Sequence, residues 1–173
     1  MNGVEGIITG TQLDQTIAAI ESVQLPDGNI PWIPGGHTDP WNLVEAAMAL
    51  DLGGRHAAAE RAYAWLRAKQ NPDASWHAYY QYNGVKDPTL DTNVACYVAT
   101  GVWHHYLSTG DTAFLRDYWP LVERTIDYAL GYQTPTGEIA WRADDPADGA
   151  LLTGSSSIHH SLRCAIAIAE RLG

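Results

Sequence analysis

The chain has 173 residues, enough to bury a core, and its twenty acidic side chains against ten basic ones leave a formal net charge of -10. Such a surface repels a polyphosphate backbone, so nucleic acid is not expected as a partner. No apolar run approaches the roughly 20 residues that span a bilayer, and no basic segment followed by an apolar stretch opens the chain, so neither a membrane span nor an export signal is expected.

In chain order, the first helix is predicted from about Thr11 to Val23, where apolar residues recur at three and four. QLPDGNIPW, from Gln24, closes it: Pro26 cannot continue a helix and Gly28 can take a positive φ. A loop carrying Trp32 and His37 then reaches HTDPWN, where Asp39 can cap free amides and Pro40 suits a first helical position. The helix that follows, Pro40 to Leu52, is apolar almost all round and reads as a buried inner helix. LGGRH returns the chain to a second outer helix, Arg55 to Lys69, closed by QNPDASWHA from Gln70. Another long loop leads through DPTLDTN to a second inner helix, Asp91 to Leu107. STGD turns the chain into a third outer helix, Asp111 to Tyr132, closed by QTPTGEIAW from Gln133. TGSSSIHH then opens the third inner helix, Ser155 to Leu172, its Ser and Thr residues read as caps.

One segment therefore occurs three times, each copy a Gln, a Pro at plus two, a turn, and an apolar or aromatic residue. The links alternate between short and long, so hairpins stacked side by side gather the long loops at one rim, where function is expected. Residues 1–173 read as a single all-α domain of three helical hairpins. Three hairpins do not close a ring, and their end helices would expose apolar surface. A homodimer, or a missing C-terminal half from a longer chain, is expected to complete it.

QNPDASW, preceded by AYAWLRAK, resembles the QW motif of squalene and hopene cyclases, with Ala74 where that motif has Gly. The other two copies keep Gln and Gly but carry Ile in place of the Trp. The stretch from DTN at Asp91 through WHHYLSTGDTAFLRDYWPLVERTIDYALGYQ to GEIAW at Trp141 is similar to the six-hairpin glycosidases, the glucoamylase-like group. Both resemblances imply the α/α toroid, of which this chain would be about half of an (α/α)6 ring. They imply different substrates, a glycoside or a prenyl chain, because a fold does not set a chemistry.

Glycoside hydrolysis uses two carboxyls across one bond, one holding a proton and the other ionised. The rim offers Asp39, Glu45, Asp87, Asp91, Glu138, Asp144 and Asp145. Capping is a sufficient reason for Asp39 and Asp91, which open inner helices. Glu45 lies a turn and a half into an otherwise apolar helix, where a carboxylate must be protonated or bonded to a neighbour. Glu45, Asp91 and Asp39 are the candidate catalytic carboxyls.

Seven Trp and nine Tyr against one Phe suit a wet cleft, since nearly every ring carries a polar handle. Trp32, Trp41, Trp76, Tyr79 and Trp141 are the candidate platforms for an oligosaccharide or small glycoside, with Asn42, Asn93, Glu138 and His159 as hydrogen-bonding partners; packing over the helix ends is the competing role for the rings. A terpenoid cyclase or prenyltransferase-like protein would use the same rings to stabilise a carbocation. Against it, DxDD is absent, and neither cysteine follows an Asp by two positions as the zinc pattern of prenyltransferases requires. His104 and His105 are adjacent and face different sides of a helix, so no metal is expected, and no phosphate loop or nucleophile elbow points to another cofactor or nucleophile. A non-catalytic helical scaffold is the third reading. Cys96 and Cys164 sit in apolar helical patterns and read as buried thiols of a cytoplasmic protein.

Overall fold

The computed structural model describes residues 3–173. These form α1 (Gly10–Val23), α2 (Pro40–Leu52), α3 (His56–Lys69), a hairpin of β1 (Tyr79–Gln81) and β2 (Gly84–Asp87), α4 (Thr92–Cys96), α5 (Val98–Thr109), α6 (Thr112–Leu130) and α7 (Leu152–Leu172), with one turn of 3-10 helix at Pro146–Asp148. The fold is all-α, three helical hairpins in which α1, α3 and α6 are outer and α2, α4 with α5, and α7 are inner.

Local chemistry sets the boundaries. Thr9 and Gln12 form a reciprocal capping box that starts α1 at Gly10, one residue before the sequence suggests. Asp39 and Asp111 each accept backbone N–H bonds and open α2 and α6. Gly110, at φ 72°, closes α5. Inner helix α2 buries Leu43, Val44, Ala47 and Leu50 against α3 and α5. It meets α5 closely enough that a Cβ on Gly101 would come within 2.6 Å of Val44 Cγ1.

The three Gln-Pro turns share one geometry. Each Gln donates its Nε2 to the carbonyl four residues on, Gln24 to Gly28 at 3.1 Å, Gln70 to Ala74 at 3.3 Å and Gln133 to Gly137 at 3.0 Å. The accepting residue has φ of 95°, 74° and 105° in turn. Two of the turns are also tied to the next outer helix: Arg61 of α3 donates to Gln24 Oε1 at 2.7 Å, and Arg124 of α6 donates to Gln70 Oε1.

Three expectations are corrected. The second inner helix is not continuous: α4, capped by Asp91 as expected, and α5 are separated at Tyr97. Helix α7 begins at Leu152, so the Ser and Thr residues expected as caps lie in its first turns and no side chain caps it. The second long loop carries the β1–β2 hairpin, closed by Tyr82 and Asn83, where an irregular loop was expected.

Backbone pairing holds the long loops together. Thr38 and Tyr80 exchange backbone bonds of 2.9 and 2.8 Å, which ties the first loop to the hairpin. Thr92 N donates to Trp141 O at 3.0 Å and Ala143 N to Leu90 O at 2.8 Å, which ties the second loop to the third. At the opposite ends of the helices, buried Asp51 receives the Nδ1 atoms of His56 and His105, each at 3.0 Å, and locks α2 to α3 and α5.

Candidate active site

Where the three long loops meet, a cleft of about 450 Å³ opens over the N-termini of α2 and α4. Trp32, Asp39, Trp41, Asn42, Tyr79, Asp91 and Trp141, all singled out from sequence, line it together with Ala78, Asp87, Thr89 and Val94.

Asp39 reaches the cleft because it caps α2. Its Oδ1 accepts from Asn42 N at 2.8 Å, and its Oδ2 accepts from Asn42 Nδ2 at 2.9 Å and from the Trp32 indole N–H at 2.6 Å. The Trp32 ring, 53 % exposed, stands at the rim and meets the His37 ring at 4.6 Å, which in turn packs edge-on against Tyr79. Lys86 of β2 contacts His37 Nδ1 at 3.2 Å.

Asp91 caps α4, and its Oδ1 accepts from Asn93 N at 2.8 Å and Val94 N at 3.1 Å. Burial raises its carboxyl above the ordinary carboxylate range, the negative charge of Asp39 adds to that rise, and the two backbone bonds oppose it. Asp87 moves the other way. Thr89 donates from its backbone and its hydroxyl and holds the carboxyl below the usual range, with Arg142 contributing.

Glu45 does not line the cleft. It is half-buried one turn deeper on α2, where the Tyr97 hydroxyl donates to its Oε1. Tyr97 also stacks on Trp41, centroids 4.5 Å apart, so one face of the Trp41 ring is already covered. Burial and the Glu45 carboxylate push the Tyr97 phenol well up, which keeps its proton on. The break between α4 and α5 falls at this tyrosine.

Four other sequence candidates lie elsewhere. Trp76 is 1 % exposed and donates its indole N–H to Leu66 O at 2.9 Å, so it belongs to the core and offers no face to a ligand. Glu138 is exposed in the third Gln-Pro turn, bonded to the Thr134 and Thr136 hydroxyls. His159 is exposed on α7. Asn93 is the second residue of α4, its Oδ1 buried without a protein partner, and does not line the cleft. Sequence reasoning passed over Thr89 and left Asp87 among the rim carboxyls without a role. The signal that could have placed both is the Asn83-Gly84 dipeptide, which marks a reversal of the chain; the two-residue loop is Tyr82-Asn83, with Gly84 paired to Gln81.

No family model matches the chain. Over 174 aligned positions, 99 % of its length, it is 48 % identical to the MMP endo-(1,4)-3-O-methyl-alpha-D-mannosidase of Mycolicibacterium hassiacum, of which it spans 48 %. An uncharacterized glycosyl hydrolase of Methanocaldococcus jannaschii is 32 % identical over 85 residues, 47 % of this chain and 14 % of that protein. Among solved structures, an unsaturated glucuronyl hydrolase specific for heparin superposes with a TM-score of 0.71 at 13 % identity, over 90 % of this chain and 49 % of that one. The chain thus spans about half the length of the mannosidase and of the solved hydrolase. Its fold is half of a glycosidase-like α/α toroid.

Proposed function

We propose that this glycosidase-like half toroid carries the aromatic wall and the general acid of a glycoside hydrolase acting on neutral, 3-O-methylated α-1,4-mannosides. The observation that carries the reading is the pair of helix-capping carboxyls, Asp39 and Asp91, in one cleft walled by Trp32, Tyr79 and Trp141, with burial holding Asp91 above the ordinary carboxylate range. Groups whose surroundings separate their proton affinities divide the work of acid and base. In this reading a sugar ring stacks on Trp32 or Trp141, Asp91 donates its proton to the glycosidic oxygen, and Asp39, held in place by three N–H donors, supplies the opposing carboxylate. Substrate identity rests on the mannosidase relative, and the lack of any Lys or Arg among the lining residues favours a neutral sugar over a uronate.

Three carboxyls in the cleft also suit a glycoside better than the apolar cavity a terpenoid cyclase needs. Two buried free thiols, Cys96 and Cys164, support a cytoplasmic setting, and we take residues 1–173 as one domain whose ring is completed from outside it.

The test is turnover of 3-O-methylmannose oligosaccharides by the wild-type chain and by Asp91→Asn, with the fold followed by thermal melting. Loss of a general acid lowers the rate by roughly 100-fold or more, while Asn still serves as a helix cap and keeps the fold. A variant that keeps its turnover, or a wild type that neither cleaves nor binds these oligosaccharides, sinks the reading.

A further inference from the structure

Two cavities border the β1–β2 hairpin. The cleft takes Tyr79 and Asp87 from it, while a second cavity of about 320 Å³ takes Tyr80, Gln81 and Tyr82, together with Trp65 and Lys69 of α3 and the first Gln-Pro turn. Nothing in the hydrolysis proposed for the cleft uses this second cavity.

Its floor is made of buried residues with donors left over. Trp65 is 4 % exposed and packs edge-on against Tyr80, centroids 5.2 Å apart. Asn29 is 9 % exposed, and its Oδ1 accepts from the Thr38 hydroxyl at 2.6 Å. Among the described residues no acceptor reaches the Trp65 indole N–H or the Asn29 side-chain N–H, yet neither nitrogen is sealed inside the protein. Both residues line this cavity, so both donors open on it. Buried polar groups are ordinarily satisfied by the protein itself, and two donors left free toward one space mark a place for an acceptor.

The rim supplies a platform and balanced charge. Tyr82 opens the two-residue loop of the hairpin, where turn geometry favours Gly, Asn or Asp, and at 97 % exposure its ring takes no part in packing. Asp27 uses Oδ1 to accept from Asn29 N at 3.1 Å, which leaves Oδ2 for a ligand. Lys69, its ammonium 5.8 Å from the Trp65 ring centre, offsets that carboxylate. Unlike the cleft, with its three carboxyls, this cavity has no net charge among its lining side chains.

We propose that the cavity is a second binding site for a neutral sugar unit, holding part of the same oligosaccharide outside the cleft. One sugar ring lies on Tyr82, its oxygens accept from Trp65 and Asn29, and one of its hydroxyls donates to Asp27. An aromatic face with a few placed polar groups, in a volume at the small end of ligand pockets, suits a pyranose, which is apolar on its faces and hydroxylated at its edge. The class of ligand rests on the glycoside reading of the cleft. Two sites on one hairpin raise the effective concentration of a chain long enough to reach both, so long substrates gain at the cleft and short ones do not.

The test follows the indole N–H resonances of the ¹⁵N-labelled chain during titration with a short 3-O-methylmannose oligosaccharide, in an Asp91→Asn background that prevents turnover. Trp32 reports the cleft and Trp65 the second cavity. Both signals are expected to shift and saturate, and Tyr82→Ala should abolish the Trp65 shift while leaving the Trp32 shift and, for so exposed a ring, the melting temperature unchanged. A Trp32 shift with a still Trp65, or a Trp65 shift indifferent to Tyr82→Ala, overturns the second site and leaves the proposed function standing. A Trp65 shift that Tyr82→Ala removes, with Trp32 still, upholds the second site and counts against the cleft. Two still signals overturn both.

Discussion

Two carboxyls of one cleft, Asp87 and Asp91, are driven in opposite directions by their surroundings. Asp91 binds its proton more tightly in the folded chain, so its contribution to stability is complete below the ordinary carboxylate value of about 4 and is lost as pH rises through the raised value. For Asp87 the contribution is present above that ordinary value and is lost as pH falls through its lowered one. At neutral pH, Asp91→Asn should therefore melt no lower than the wild type. Any turnover that uses the Asp91 proton should have an alkaline limb at the raised value, and a pH–rate profile of the two chains checks this. Trp32 acts through Asp39. Trp32→Phe keeps an aromatic ring but removes the indole N–H that holds Asp39 Oδ2, so kcat should fall, which steady-state kinetics of the variant checks. Most of the cleft was legible at this scale because Asp39 and Asp91 announce themselves as caps. Trp76 was not, because a Trp after a Gln-Pro turn reads alike whether its indole points into the core or into solvent.

Among the elements, the Gln-Pro turns carry the architecture. All three have a positive φ four residues after the Gln, and Ala74 shows that the second turn accepts a Cβ there. Gly28→Ala meets the backbone of α3, so it should cost distinctly more than the roughly 1–2 kcal/mol of a left-handed residue alone, whereas Gly137→Ala should cost no more than that. Chemical denaturation of the two variants measures the difference. Outer and inner helices were readable from periodicity, since an apolar stripe and an all-round apolar surface are distinct patterns. The break at Tyr97 was not, because its cause lies off the helix: the Tyr97 ring packs on Trp41 while its hydroxyl bonds Glu45. The β1–β2 hairpin was missed because neither strand exceeds four residues, too short for a period to show.

For the whole molecule, charge is the property that matters. A net charge of -10 and three carboxyls in the cleft repel anionic ligands. A uronate-containing oligosaccharide should bind more weakly than a neutral methylmannoside of equal length, and its affinity should rise with salt while that of the neutral one stays flat. Calorimetric titrations at low and high ionic strength distinguish the two.

The amino-acid order alone determined the helical class, the outer-inner alternation, the three turns and the rim that gathers the long loops, because these follow from periodicity, capping and the φ limits of Pro and Gly over a few neighbouring residues. Tertiary structure alone decided that Asp91 lies beside Asp39 in a shared cleft, that Glu45 is spoken for by Tyr97 and that Trp76 faces inward. Each of these depends on residues dozens of positions apart meeting in space, and burial and charge act on distance rather than on sequence separation.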